Sequence, residues 1–373
     1  MADVHLKTSP TTPEWKIKEQ DDCLRCVNVY AVEQGIKDII VAGDVFDHHN
    51  PDSDSLQFFL DWIKLGVESG LRYWIIPGNH DASDKMCSKH SMSSIRQTLD
   101  IVDAGYKKGF NIIDKTHVLS GDFFRGFRIY FIPWMEDEAY VKAVKRVGKS
   151  AASASEIPIL ATHCFIKGSQ VGDGGYKHQE GIDVKVFDPF HYVALGDIHL
   201  RQEFKTKKGM AYYPGSLICQ NFGERKEKKG FLDVTITPDS AEVKFVAVPH
   251  VTWTQRRIKS SVLMKMVVSG DLFNRKFPRS KFAGKNLKLI IDCEGGKSSS
   301  QPIDALVERS KKMGLVNFEW RMANTGYARV DRFKSKKTGS MMDEMVDSDK
   351  AVKKKQKKKA KQVGKQLLER TSR

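Results

Sequence analysis

The sequence predicts an α/β fold with a sheet buried on both faces, and three observations carry that prediction. Short apolar, β-branched runs recur: "IKDIIVAGD" at 36–44, "LRYWIIPGNHD" at 71–81, "FRIYFIPW" at 127–134, "IPILATHCF" at 157–165 and "YVALGDIH" at 192–199. Helical patterns lie between several of them, for example at 14–34 and 54–69. The strand runs are continuously apolar rather than alternating, as expected of strands covered on each side. In the second helix Leu56, Phe59, Leu60 and Ile63 form one apolar face, and Ser53 or Asp54 after Pro51 is expected to cap its first turn.

These elements place one α/β unit over residues 1–247. Residues 248–325 read as a small α+β domain: a strand at "LKLIIDC" (287–293), a helix over 302–314 that stops at Gly314, and a strand at "VNFEW" (316–320). Residues 326–373 form a basic tail. The chain of 373 residues carries a net charge of +16, of which the tail holds +10, with its densest run "KKKQKKKAK" at 353–361. Such a run suits a solvated segment, an arm for phosphate backbones or a nuclear-import signal. Two short helical patterns in the tail carry Met341, Met342, Met345 and Val346, and Val363, Leu367 and Leu368.

No stretch reaches the roughly 20 apolar residues that cross a bilayer, and the first residues lack the pattern of a secretory signal. Six scattered cysteines fit reduced thiols in the cytoplasm, or in the nucleus of a eukaryotic cell. Cys23-x-x-Cys26 has no second Cys pair and reads as ordinary half-buried thiols rather than a zinc site.

Five segments share a further property: "ADVH" (Asp3, His5), "GDVFD" (Asp44), "GNHD" (Asn79, His80), "ATH" (His163) and "GDIH" (Asp197, His199). Four of them follow an apolar strand run and end in oxygen or nitrogen donors. In open α/β sheets functional groups gather beyond the carboxyl ends of the strands. Burying so many Asp, Asn and His side chains is costly unless they are paired or hold metal. Seven donors, Asp3, His5, Asp44, Asn79, His163, Asp197 and His199, exceed one tetrahedral zinc. They suffice for two ions roughly 3.5–4 Å apart if one carboxylate, most naturally Asp44, bridges them. Mixed imidazole, carboxylate and amide donors suit Mn²⁺ or Fe²⁺, with zinc possible.

The pattern D-x-H, GDVFD, GNHD, H and G-x-x-H resembles the calcineurin-like metallophosphoesterase superfamily. Within it, "YYPGSLICQNFGERKEKKGF" at 212–231 is similar to the SbcD-type nuclease subunits of DNA double-strand-break repair, a group that includes phage recombination endonuclease subunits. The resemblance covers residues 1–247 well and the rest only in outline. It implies a layered β-sandwich flanked by helices, with a small cap domain. It implies a first metal on Asp3, His5, Asp44 and His199, a second on Asp44, Asn79, His163 and Asp197, and His80 as the catalytic histidine. Asp81 is expected either to orient His80 or to serve as a turn residue, and one of His48 and His49 to face substrate or both to be solvated.

For activity, the resemblance implies a Mn²⁺-dependent 3′–5′ exonuclease and endonuclease acting on DNA ends in recombination and repair. It also implies a homodimer whose C-terminal helices dock on an SbcC-like coiled-coil ATPase, with no membrane partner. The other readings are a phosphoesterase on nucleotides or other small phosphodiesters, and a binding subunit without catalysis. Two departures stand out. Asp197 occupies a position where the SbcD type usually has His, and as a harder donor it is expected to favour Mn²⁺ or Mg²⁺. Only Met1 and Ala2 precede Asp3, where family members have a strand. Met1 is therefore expected to lie downstream of the true start, and the first metal to be held more loosely than the second.

Overall fold

The structure, a computed structural model, describes residues 1–101, 109–121, 126–172, 176–268, 278–293 and 313–324, with Phe124 and Ser310. The chain runs through α1 (Glu14–Glu33), β1 (Asp38–Ala42), α2 (Ser53–Glu68), β2 (Arg72–Ile76), α3 (Ser93–Ile101), β3 (Phe110–Ile112), β4 (His117–Leu119) and β5 (Phe127–Ile132). It continues with α4 (Asp137–Ala152), β6 (Ile157–His163), β7 (Tyr192–Gly196), β8 (Gln202–Lys205), β9 (Met210–Tyr213) and the hairpin β10 (Gly230–Ile236) and β11 (Ala241–Ala247).

Two sheets stack. One is parallel, in the order β1-β2-β3; the other has six strands in the order β4-β5-β6-β7-β9-β8, parallel from β5 to β9 with antiparallel strands at its edges. Successive residues of a strand point to opposite faces, so each strand serves two cores. Ile39, Val41, Tyr73 and Ile75 face outward onto Val27, Phe59, Trp62 and Ile63 of α1 and α2. Their neighbours Ala42, Trp74 and Ile76 face inward against Ile129, Phe131, Ile159 and Ala161 of the second sheet. Tyr130, Leu160, Val193 and Leu195 face the opposite side, onto Tyr140, Val144 and Val147 of α4. The mixed α/β sandwich thus matches the expected fold class, and double burial explains the unbroken apolar runs. Each large side chain so buried contributes about 1.5–3 kcal/mol. One local expectation shifts: the cap of α2 is Asp52, whose side chain accepts from Ser55 N at 2.7 Å.

The first six residues are held on both sides. Ala42 N donates to Met1 O (2.9 Å), Asp3 N to Gly43 O (3.1 Å) and Leu6 N to Val45 O (2.8 Å), while Leu217 N donates to Asp3 O (3.4 Å). Asp3 and His5 are 0% and 2% exposed. Position near a terminus suggested fraying, but long-range backbone bonds fix this segment along the end of β1.

Beyond Val248 the chain forms β12 (Thr252–Lys259), α5 (Ser260–Val268), α6 (Arg279–Phe282), β13 (Lys285–Cys293) and β14 (Asn317–Asn324). The three strands make a parallel sheet with its own core of Ile258, Leu263, Phe282, Leu287, Leu289 and Ile291. The two expected strands are present and longer. β12 was not foreseen, because "TWTQRRIK" is mostly polar and largely uncovered. Most of the expected helix over 302–314, and the whole tail with its Met341–Val346 and Val363–Leu368 patterns, lie outside the described residues. Cys23, Cys26, Cys87, Cys164 and Cys219 are free thiols.

The β12–β13–β14 sheet joins the body against α1. Val251 N donates to Glu19 Oε1 at 2.6 Å, and Cys23 Sγ to Pro249 O at 3.0 Å. Glu19 is buried, its Oε2 has no partner, and burial pushes its carboxyl up to about 7. The stability contributed by a carboxyl raised in this way is fully present below the ordinary value of 4.5 and is lost as pH rises through about 7. Glu19→Gln keeps an acceptor oxygen for Val251 N and cannot ionise. Urea denaturation is expected to find the variant more stable than the parent at pH 8, by on the order of 2 kcal/mol, and nearly equal to it at pH 4. A variant no more stable than the parent at pH 8 would reject this account of the joint.

Candidate metal centre

The carboxyl ends of β1, β2, β6 and β7 lie together. Asp44 follows β1 after one glycine, Asn79 and His80 follow β2 after Pro77-Gly78, His163 closes β6, and Asp197 and His199 follow β7. Residues 1–6 run beside this edge and bring in Asp3 and His5. All eight residues singled out in the sequence are therefore brought to one place. Asp3 (φ 53°), His5 (φ 50°), Asp44 (φ 51°) and Asp197 (φ 107°) adopt left-handed backbone; Cys87 is the other described non-glycine residue that does so. Such conformations cost on the order of 1–3 kcal/mol each and persist where the surroundings impose them, commonly at functional sites. Gly43 and Gly196 pack so close to His163 that a Cβ on either would strike its ring.

The distances define two overlapping groups. His5 Nε2 lies 2.9 Å from His199 Nε2 and 3.6 Å from Asp44 Oδ2. His163 Nε2 lies 2.7 Å from Asn79 Oδ1, 3.6 Å from Asp44 Oδ1 and 3.8 Å from Asp197 Oδ1. Asp44 thus turns one oxygen toward each group. Asp3 stands between them: its donor atom lies within 4.8 Å of those of His5 and His199, and also within 4.8 Å of those of Asp44 and His163.

Proton bookkeeping shows what the centre lacks. Ala42 O can only accept, so the His163 Nδ1 beside it at 2.8 Å carries the proton. In the neutral ring Nε2 is then a lone pair, aimed at the acceptor oxygens of Asn79, Asp44 and Asp197. His199 Nδ1 is likewise engaged by Glu224 Oε1 at 3.0 Å, which leaves its Nε2 facing His5. Asp3 Oδ2 is buried with no hydrogen-bond partner. Burial pushes Asp3 up to about 6 and Asp44 well above the carboxylate range; burial, then the neighbouring His199, pulls His5 well down. Convergent lone pairs and crowded, buried carboxyl groups fit divalent cations.

The calcineurin-like phosphoesterase family matches residues 1–201. The chain belongs to that family. Membership places this phosphoesterase among metal-dependent hydrolases of phosphate esters. Among solved structures, a dimetal phosphatase from Danio rerio resembles it with 12% identity and a TM-score of 0.44, over 67% of this chain and 96% of its own.

For Asp81 and for the pair His48 and His49 the sequence left two readings each. Asp81 does not orient His80. It is fully buried and accepts from Val45 N (3.0 Å), Phe46 N (3.1 Å), Gly78 N (3.0 Å) and Ser91 Oγ (2.9 Å), tying together the loops after β1 and β2. His80 is exposed; its backbone N donates to Asp44 Oδ1 (2.9 Å) and its ring Nδ1 to Asp47 O (2.9 Å), so Nε2 is the atom free to exchange a proton. His48 and His49 are exposed and lie against each other, ring centroids 4.0 Å apart and planes tilted by 36°.

Glu224 and Lys229 were not foreseen. Glu224 Oε1 bonds His199, its Oε2 pairs with Lys229 Nζ at 2.8 Å, and Lys229 also donates to Ser216 Oγ and Glu227 Oε2, both at 2.7 Å. Burial pushes Glu224 up, but the bonds from His199 and Lys229 outweigh it and hold the carboxyl down at about 2. Lys229 is 1% exposed, whereas its neighbours Lys226 and Lys228 are exposed. Only burial marks it out from them.

Asp44→Asn tests the shared carboxylate. Asparagine removes a buried charge, so the metal-free variant is expected to melt at a higher temperature than the metal-free parent at pH 8. It also deprives both groups of a negative oxygen, so added Mn²⁺ is expected to stabilise the parent strongly and the variant little. Equal Mn²⁺-induced shifts in melting temperature would show that Asp44 is not shared.

Proposed function

We propose that this phosphoesterase is a two-metal phosphodiesterase acting on DNA ends, a 3′–5′ exonuclease and endonuclease of recombination and repair. The observation that carries the two-metal reading is Asp44, with one oxygen toward His5 and the other toward His163. Asp3, His5, Asp44 and His199 would hold one cation, and Asp44, Asn79, His163 and Asp197 the other. The donor set, rich in carboxylate with imidazole and one amide, suits Mn²⁺. When bound, such a pair supplies Lewis-acid charge at the phosphate and acidifies a water for in-line attack.

The remaining steps belong to the chain. His80 holds its Nδ1 proton on Asp47 O, which fixes the ring and presents Nε2 outward. From there a protonated ring donates to the leaving oxygen as the ester bond breaks, and recovers its proton from solvent. The resemblance of residues 212–231 to SbcD-type subunits and the +10 charge of residues 326–373 support DNA as substrate, since duplex backbones bind basic surfaces without regard to sequence. The same resemblance supports a homodimer working with an SbcC-like ATPase through the C-terminal segment.

The test is hydrolysis of end-labelled linear duplex DNA with Mn²⁺, with and without a coiled-coil ATPase partner. His80→Ala is expected to lose about 10²–10⁴-fold in rate while equilibrium dialysis shows Mn²⁺ uptake unchanged. Hydrolysis of mononucleotide esters with DNA left intact would overturn the nuclease reading in favour of a small-molecule phosphoesterase.

A further inference from the structure

His199 owes its orientation to Glu224, and Glu224 sits on a single 3₁₀ turn, Phe222–Glu224. So short a turn has little stability of its own. Its local ties are Asn221 Oδ1 accepting from Gly223 N (2.7 Å), Asn221 Nδ2 donating to Glu224 Oε1 (2.9 Å) and Arg225 donating to Phe222 O (2.8 Å). The other end of the turn is gripped from outside the catalytic sandwich. The Phe222 ring stands edge-on to Trp253 of β12, centroids 4.6 Å apart, and Lys288 Nζ of β13 lies 4.9 Å from its centre. Trp15, just inside α1, packs against the far side of this cluster, its ring 6.2 Å from that of Trp253. Phe222 and Trp253 are 7% and 8% exposed. Trp253 Nε1 is buried without a hydrogen-bond partner, so its indole is retained there at a cost, as packing alone.

We propose that Trp253 is a positioning residue for the first cation: through Phe222, the β12–β13 sheet sets the turn that carries Glu224, and with it the aim of His199 Nε2. This rests on the two-cation reading above. Lys229, Gln220 N and Ser216 Oγ anchor the Glu224 carboxylate from its other side. They neutralise the charge, while the aromatic clamp fixes the backbone from which the side chain starts. Asn79 and His163 reach the second cation from β2 and β6, with no part in this turn. The clamp therefore acts on one cation and leaves the other alone, so a shift of the β12–β13–β14 sheet against α1 would change the occupancy of a single site. Outer partners of a metal-bound histidine typically affect affinity by about 10–100-fold.

The experiment titrates Mn²⁺ into the full chain, reading equilibrium dialysis for the two affinities and electron paramagnetic resonance for the spin-coupled pair. Trp253→Ala is expected to weaken one of the two ions by about 10-fold or more, to replace the coupled signal by that of an isolated ion at intermediate Mn²⁺, and to leave the other affinity as in the parent. Trp253→Phe, which keeps an edge-on ring and removes the orphaned N–H, is expected to restore both. Phe222→Leu, which keeps the turn apolar, is expected to behave as Trp253→Ala does and serves if that variant fails to fold. Equal weakening of both ions, or two unchanged affinities in folded Trp253→Ala and Phe222→Leu, would overturn the proposal. A parent chain that takes up no Mn²⁺ would instead sink the two-cation reading, and this inference with it.

Discussion

The centre depends on a shortage of protons. Two imidazoles, His163 and His199, each commit Nδ1 to a fixed acceptor, the Ala42 carbonyl and the Glu224 carboxylate. Their other nitrogens then meet oxygens and a further imidazole, which crowds lone pairs together wherever the carboxyls are ionised. In a buried setting such an arrangement is unfavourable by several kcal/mol until positive charge fills it. Its neighbours are arranged so that it cannot relax. Gly43 and Gly196 lie against the His163 ring, and the left-handed backbones of Asp3, Asp44 and Asp197 aim short side chains inward from three different segments. Parallel strands supply the frame, because their ends meet at one edge where loops can carry polar groups without breaking the sandwich.

Much of this is legible in the sequence, for a definite reason. A strand buried on both faces is written as an unbroken apolar run, so the first polar residue after it is conspicuous. Asp44, Asn79, His163 and Asp197 all stand out in that way. Asp81 carries the same mark and does something else, anchoring loops through four hydrogen bonds, because spacing in a loop does not say which way a side chain points. Glu224 and Lys229 are hidden in a run of charged residues that looks solvated, and a buried ion pair there depends on tertiary packing alone. Likewise the order of residues 1–6 comes from backbone bonds to Ala42, Gly43 and Val45, about forty residues away in sequence. β12 was missed because its residues alternate irregularly and only Trp253 and Ile258 are buried.

Histidines in and around the centre divide by exposure. Burial pulls His5 well below the usual range and lowers His163 too, which suits them to act as neutral donors and unsuits them to carry protons. His80 lies at the same edge with an exposed ring and one nitrogen tied to Asp47 O. A ring open to water but fixed in orientation has the geometry of a general acid, which a buried donor lacks.

Charge then bears on the kind of ester. Three carboxylates, Asp3, Asp44 and Asp197, face the centre. Opposite two divalent cations, as proposed above, they would leave a net single positive charge, where an imidazole in place of Asp197 would leave two. A phosphodiester brings one negative charge and is matched by the first arrangement. A phosphomonoester dianion is matched by the second. By neutralising one more unit of cation charge, Asp197 would weaken the hold on a dianionic monoester more than that on a monoanionic diester, since attraction scales with the product of the charges.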